Sequence, residues 1–156
     1  MKTITRSIDV EVPVRTAYDQ WTQFEEFPAF MKDVERIEQL DQTTLRWHVK
    51  IAGIKRSFET TITEQTPDQR IAWTTQPGSD TFHAGVVTFH RLDDGLSRVT
   101  LQMDVEPDGV VEKVGSALGI TEANIQRDLD GFKEFIESRG QETGAWRGEV
   151  SQDPGA

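Results

Sequence analysis

The sequence predicts an α+β fold: a curved seven-stranded antiparallel sheet, two short helices after the first strand, and a long C-terminal helix over one face. Three observations predict it. Aromatic-rich segments with period-two alternation of apolar and polar residues fill residues 43–106. An apolar pattern of helical period then occupies most of 109–138. Turn-forming residues recur between the strands at short spacing, which favours an antiparallel meander. Strands with a single apolar face need covering, and the last helix supplies the cover. A curved sheet closed in this way tends to leave space under the helix, so a ligand cavity is the first functional expectation.

Residues 2–11 read as the first strand, with Ile4, Ile8 and Val10 interleaved by Thr5, Ser7 and Asp9. Pro13 suits the first position of a helix, where its missing N–H costs nothing. Val14, Ala17, Tyr18, Trp21 and Phe24 follow as one apolar stripe. Residues 25–31 read as a second short helical turn with Pro28 near its start, and 33–40 hold an imperfect strand pattern around Val34, Ile37 and Leu40. After a hairpin turn at Asp41-Gln42-Thr43, the residues Leu45, Trp47, Val49 and Ile51 share one face. Beyond a turn at Gly53, Ile54, Arg56, Phe58, Thr60 and Ile62 do the same. Thr66-Pro67-Asp68 marks another turn, and Ile71, Trp73 and Thr75 line one side of the next strand, ended by Pro77-Gly78-Ser79-Asp80.

His83, Gly85, Val87 and Phe89 alternate with Phe82, Ala84, Val86 and Thr88, a strand apolar on both sides and therefore central. Past Asp93-Asp94-Gly95, the residues Val99, Leu101, Met103 and Val105 form the last inner face. The helix opens after Pro107-Asp108-Gly109, carries Val110, Val111, Val114 and Leu118, breaks at Gly119 and restarts at Thr121-Glu122. Ile125, Leu129, Phe132 and Ile136 sustain its period to Arg139-Gly140. Residues 1–140 thus read as a single domain, and 141–156, with only Ala145, Trp146 and Val150 as apolar groups, as a mobile tail.

Composition narrows the functions to consider. The 17 basic and 27 acidic residues give a formal charge of −10, a poor match to a nucleic-acid phosphate backbone or to anionic membrane surfaces. There are no cysteines, which removes disulfides, thiolate catalysis and Cys-ligated metals. The N-terminus has no apolar signal core, and no stretch is long enough to span a bilayer, so a cytoplasmic protein without integral membrane association is expected. The three histidines lack metal-ligand spacing, and no phosphate-binding or dinucleotide fingerprint occurs. Neither a metal nor a cofactor is expected.

Several stretches resemble the polyketide cyclase/dehydrase and coenzyme Q-binding branch of the START-like, Bet v 1-like (SRPBCC) superfamily. They are the segment from Val14 to Trp21 with Phe24-Glu25-Glu26-Phe27-Pro28-Ala29-Phe30-Met31, the pair Arg70-Ile71-Ala72-Trp73 and Gly85-Val86-Val87-Thr88-Phe89, and the closing helix Arg127-Asp128-Leu129-Asp130-Gly131-Phe132-Lys133-Glu134-Phe135-Ile136-Glu137. The resemblance spans residues 2–139. It implies the helix-grip architecture, in which the sheet grips the C-terminal helix over an apolar cavity. The glycine-rich loop of the plant allergens is missing, since Asp41-Gln42-Thr43 takes the comparable hairpin.

On these face assignments the cavity is lined by Trp47, Val49, Phe58, Trp73, Val87, Phe89, Leu101 and Met103, with Leu118, Ile125, Leu129 and Phe132 from the helix. Arg56, Thr60, Thr75 and His83 are the polar residues on the same face. His83 is the acid/base candidate because its ordinary pKa lies near neutrality. An inward Arg56 would pair with ligand oxygens; the alternative places Arg56 near a strand end, reaching to water or pairing with a neighbouring Glu. His48 and His90 fall on outward faces. The preferred reading is binding, transport or sequestration of a hydrophobic small molecule such as a lipid, isoprenoid quinone or aromatic polyketide-like compound. The alternatives are a cyclase or dehydratase using His83 or Arg56, and a protein-interaction module with a filled interior.

Overall fold

A computed structural model describes residues 2–51, 53–76, 83–105 and 122–150. The elements run β1 (Lys2–Val10), α1 (Val14–Trp21), a 3-10 helix (Phe24–Ala29), β2 (Val34–Gln39), β3 (Thr44–Ile51), β4 (Ile54–Thr66), β5 (Arg70–Thr75), β6 (His83–Asp93), β7 (Leu96–Val105) and α2 (Glu122–Arg139). The seven strands form one sheet in the order β1-β7-β6-β5-β4-β3-β2, with every pair antiparallel. β2 to β7 are the expected meander, and β1 returns to pair with β7. Register shifts at Val34/Arg36, Ile62/Glu64 and Arg91/Asp93 bend the ribbon, since a bulge adds local twist. That curvature wraps the sheet's inner face around α2.

Helix α2 buries Ile125, Leu129, Phe132 and Ile136, the 3.6-period stripe seen in the sequence. Ring packing ties it to the early helices: Trp21 meets Phe132 edge-on at 4.9 Å, and Phe30 meets it at 5.3 Å. Tyr18 and Trp21 of α1 both pack against Phe89 on β6. A β-carbon on Gly131 would fall 2.5 Å from the Phe30 carbonyl oxygen, so α2 sits directly on the chain leaving the 3-10 helix. Pro28 lies near the end of that helix rather than near its start. It has no N–H to carry the hydrogen-bond ladder onward. The first part of the expected long helix, with Leu118 and the break at Gly119, lies outside the described residues.

Residues 141–150, the described part of the segment read from the sequence as a tail, make specific contacts with the domain. The segment lies across the ends of α1 and β4. Gln20 and Thr143 exchange two hydrogen bonds, of 2.8 and 3.1 Å, and the Trp146 N–H donates to Thr22 Oγ1 at 3.1 Å. Gln65 and Val150 form an antiparallel bridge with two 2.9 Å bonds. Arg147 reaches Asp19 at 2.5 Å and Asp68 at 2.7 Å. A few backbone and charge-assisted bonds thus hold a segment that hydropathy alone marks as loose.

Candidate functional site

Between the sheet and α2 lies a cavity of about 120 Å³. The sheet contributes Trp47 and Val49 from β3, Phe58 and Ile62 from β4, Trp73 from β5, His83 from β6, and Leu101 and Met103 from β7. Trp21, Phe24, Phe27 and Met31 close one side, and Ile125, Asp128 and Leu129 of α2 form the roof. Aromatic rings dominate the walls. Trp47 and Phe58 lie parallel, 10° apart in plane and 5.8 Å between centroids, and the Trp47 indole N–H is taken up by Thr60 Oγ1 at 2.9 Å. Trp73 lies over its cross-strand neighbour Gly85, where a β-carbon would come within 2.5 Å of the indole. Only glycine leaves room for that ring against the sheet.

Two polar features interrupt the apolar lining. His83 is 3% exposed, its ring edge-on to Phe58 at 5.2 Å, and its Nδ1 is buried with no partner among the described residues. Burial pushes its pKa down to about 4, because an imidazolium there would lack solvation. His83 therefore stays neutral at physiological pH, with one ring nitrogen free to donate to or accept from a ligand. The second feature is a charged bridge. Arg127 donates to Asp33 at 3.0 Å and to its neighbour Asp128 at 3.2 Å, and both aspartates line the cavity. Burial raises Asp128 to about 6, with Asp33 adding to the shift and Arg127 opposing it. A carboxyl and an imidazole, each displaced toward its neutral form, thus face one apolar space.

The structure places the expected residues in three groups. Trp47, Val49, Phe58, Trp73, His83, Leu101, Met103, Ile125 and Leu129 line the cavity. Thr60, Thr75, Val87, Phe89 and Phe132 are buried but pack behind its walls. Thr60 is occupied by Trp47, and Thr75 Oγ1 accepts the His83 N–H at 3.4 Å. Arg56, near the hairpin end of β4, is exposed and does not line the cavity. Leu118 lies outside the described residues. His48 and His90 face outward as expected, with His48 held between Glu38 at 2.6 Å and Ser57 at 3.0 Å.

Leu45, Ile62 and Ile71 also line the wall, on the faces that alternation had already assigned inward. The lining residues the sequence reading left out are Trp21, Phe24, Phe27, Met31 and Val34, together with Asp33 and Asp128, which Arg127 joins. Asp128 carried a signal: it lies three residues after Ile125 and one before Leu129, a carboxylate inside the apolar stripe. Asp33 carried none. A second, more polar cleft of about 300 Å³ lies between the 3-10 helix and Trp146, and Phe24 lines both spaces.

A family model described as polyketide cyclase / dehydrase and lipid transport matches residues 10–133. An uncharacterized 17.2 kDa protein from the melC2-rnhH intergenic region of Streptomyces lincolnensis is 56% identical over 150 residues, covering 96% of this chain and 99% of the relative. A START superfamily protein from Mycobacterium smegmatis superposes with a TM-score of 0.71 at 19% identity, covering 86% of this chain and 98% of that one. The Zhui aromatase/cyclase of a Streptomyces species gives 0.75 at 15% identity, with 93% and 99% covered. At such identities the likeness to the solved structures is one of fold.

Proposed function

The chain belongs to the polyketide cyclase/dehydrase and lipid transport family, and from that premise we propose that it binds a small hydrophobic molecule, ring first, in the cavity under α2. The observation that carries the reading is the pairing of aromatic walls with a buried His83 Nδ1 that has no partner among the described residues. A buried polar nitrogen left unsatisfied costs about 1–3 kcal/mol. A ligand hydroxyl or carbonyl at that atom relieves the cost while the ring replaces cavity space with contact. The volume of about 120 Å³ suits one aromatic ring, since a dry cavity of roughly 150 Å³ takes up benzene. A quinone head group or one ring of a polyketide-like compound fits that measure. An isoprenoid or acyl tail has to extend past these walls. Transport or sequestration in the cytoplasm is the corresponding biological role.

The test combines retention and titration. Protein purified without detergent is analysed by native mass spectrometry and organic extraction, then titrated with phenol and hydroquinone, following tryptophan fluorescence. Saturable binding that weakens at least tenfold in Trp73→Ala and in His83→Phe, with the fold intact by circular dichroism, is the expected result. Binding indifferent to both substitutions removes this cavity as the site.

A second reading, a dehydratase or cyclase, is favoured by one observation: Asp128 near 6 and a neutral His83 line the same space. In a dehydration the imidazole takes the C–H proton as the carboxylic acid protonates the departing hydroxyl, releasing water and forming the double bond. Turnover that collapses in both His83→Ala and Asp128→Asn, with ring binding retained, supports this reading; catalysis surviving either change counts against it.

A further inference from the structure

The cations of this acidic chain are not evenly matched. Among the described side chains, every lysine or arginine lies in an ion pair except Lys32, Lys50, Lys55, Arg56 and Arg139. Arg139 lies over the Phe135 ring. The other four gather at one end of the sheet. Lys50 and Lys55 stand directly opposite each other on β3 and β4, and Arg56 pairs with Val49 one rung further in. The Lys50 N–H donates to the Asp33 carbonyl at 2.9 Å, which brings Lys32 to the same end. All four cations are exposed.

Directly opposed like charges weaken a sheet, and no carboxylate among the described residues forms an ion pair with either lysine. The fold has no evident use for this arrangement. At the outermost rung of the same hairpin is Ile54, 56% exposed and the most exposed of the large hydrophobic side chains described. The order from the tip inward is therefore apolar, then cationic, then the cavity wall at Val49 and Phe58. That layering matches a bilayer interface, where apolar groups enter the acyl boundary and cations stay at headgroup depth. A purely acidic protein surface would be met better by cations at the tip. The chain's overall charge of −10 does not forbid contact, because charges beyond roughly 8 Å are screened at physiological salt.

We propose that the β3–β4 hairpin is a peripheral docking surface for anionic lipid bilayers, with Ile54 entering the interface and Lys50, Lys55 and Arg56 meeting the headgroups. The surface works whatever molecule fills the cavity, and docking would bring the cavity wall at Val49 and Phe58 to the membrane.

Vesicle flotation tests it, using phosphatidylcholine alone and phosphatidylcholine mixed with phosphatidylglycerol. The full chain is expected to float with the mixed vesicles only, and to release as salt is raised. The Lys50→Gln/Lys55→Gln variant should bind roughly thirtyfold more weakly, given the usual contribution per basic residue. Its melting temperature should hold or rise, since a repulsive pair is gone. Gln42→Glu/Gln102→Glu, which makes the same change in net charge at exposed positions elsewhere, should bind as the parent does. Ile54→Ser should weaken binding without changing its salt dependence. Equal binding to both vesicle types, binding to neither, or equal losses in the two charge variants overturns the proposal; binding to neither would leave an acidic protein as the occupant to seek.

Discussion

Two arginines in this molecule are each held between two aspartates, and what lies beyond the aspartates separates them. Arg127 bridges Asp33 and Asp128 at 3.0 and 3.2 Å; Arg147 bridges Asp19 and Asp68 at 2.5 and 2.7 Å. Burial raises the pKa of both Asp128 and Asp19, and the nearby arginine opposes it in each case. The Asp19 carboxyl is only 3% exposed, and its arginine also covers the Tyr18 ring. That bridge ties residues 141–150 to α1 and to the β4–β5 turn, so its charges are consumed within the fold. The Asp128 bridge borders the cavity instead. The same chemistry serves as a clasp at one end and as a polar wall at the other.

The comparison breaks most readily at the clasp. Arg147→Ala leaves Asp19 buried without its main partner and is expected to cost about 3 kcal/mol in urea unfolding. Arg127→Ala, at a more hydrated bridge, should cost about 1 kcal/mol. Equal losses would erase the distinction.

Next in size is a pair of opposed pH slopes at the cavity. The folded Asp128 value near 6 lies above the ordinary carboxyl range, so the folded state holds the proton more tightly. Stability from this group falls as pH rises from about 4 to about 6. His83 has its folded value near 4, below the ordinary 6.5; its contribution is lost as pH falls across that interval. Each effect amounts to at most about 3 kcal/mol, and in the parent protein they oppose each other. Unfolding free energies should therefore climb more steeply with pH in Asp128→Asn than in the parent, and less steeply in His83→Gln. Parallel curves for all three would mean that neither group is buried as described.

A smaller effect is expected from Gly85→Ala. The new β-carbon meets Trp73, forcing the indole off its place on the wall, at about 1–3 kcal/mol. Ring binding measured by fluorescence should fall with it, whereas Arg147→Ala should leave binding intact. Smallest is Trp146→Ala: the side chain is only half-buried and the Trp146 backbone makes the hydrogen bond to Thr22. Under about 1 kcal/mol and no change in ring binding are expected; a binding defect would join the two clefts that Phe24 separates.

Most of the fold was legible in the sequence. Period-two segments from Leu45 to Met103 assigned the inner faces, and seven expected strand residues line the cavity because strand alternation is a local property of the backbone. The assignment failed where coverage ends. Arg56 obeys the same alternation as Phe58, yet it is exposed near the hairpin end of the strand while Phe58 lines the cavity. Hydropathy gave no sign of the bonds that Gln20, Gln65 and Asp19 make to residues 141–150, since such bonds leave no periodic trace.

By itself, then, the sequence determined the strands, their inner and outer faces, and the helix that closes them, because each follows from near-neighbour spacing. Only the tertiary structure decided which inward residues bound a space and which fill it. It alone brought Asp33 to Arg127 across 94 positions and Asp19 to Arg147 across 128. The physical reason is range: side-chain periodicity acts over a few residues, whereas burial and charge pairing depend on distances that exist only after the chain has closed.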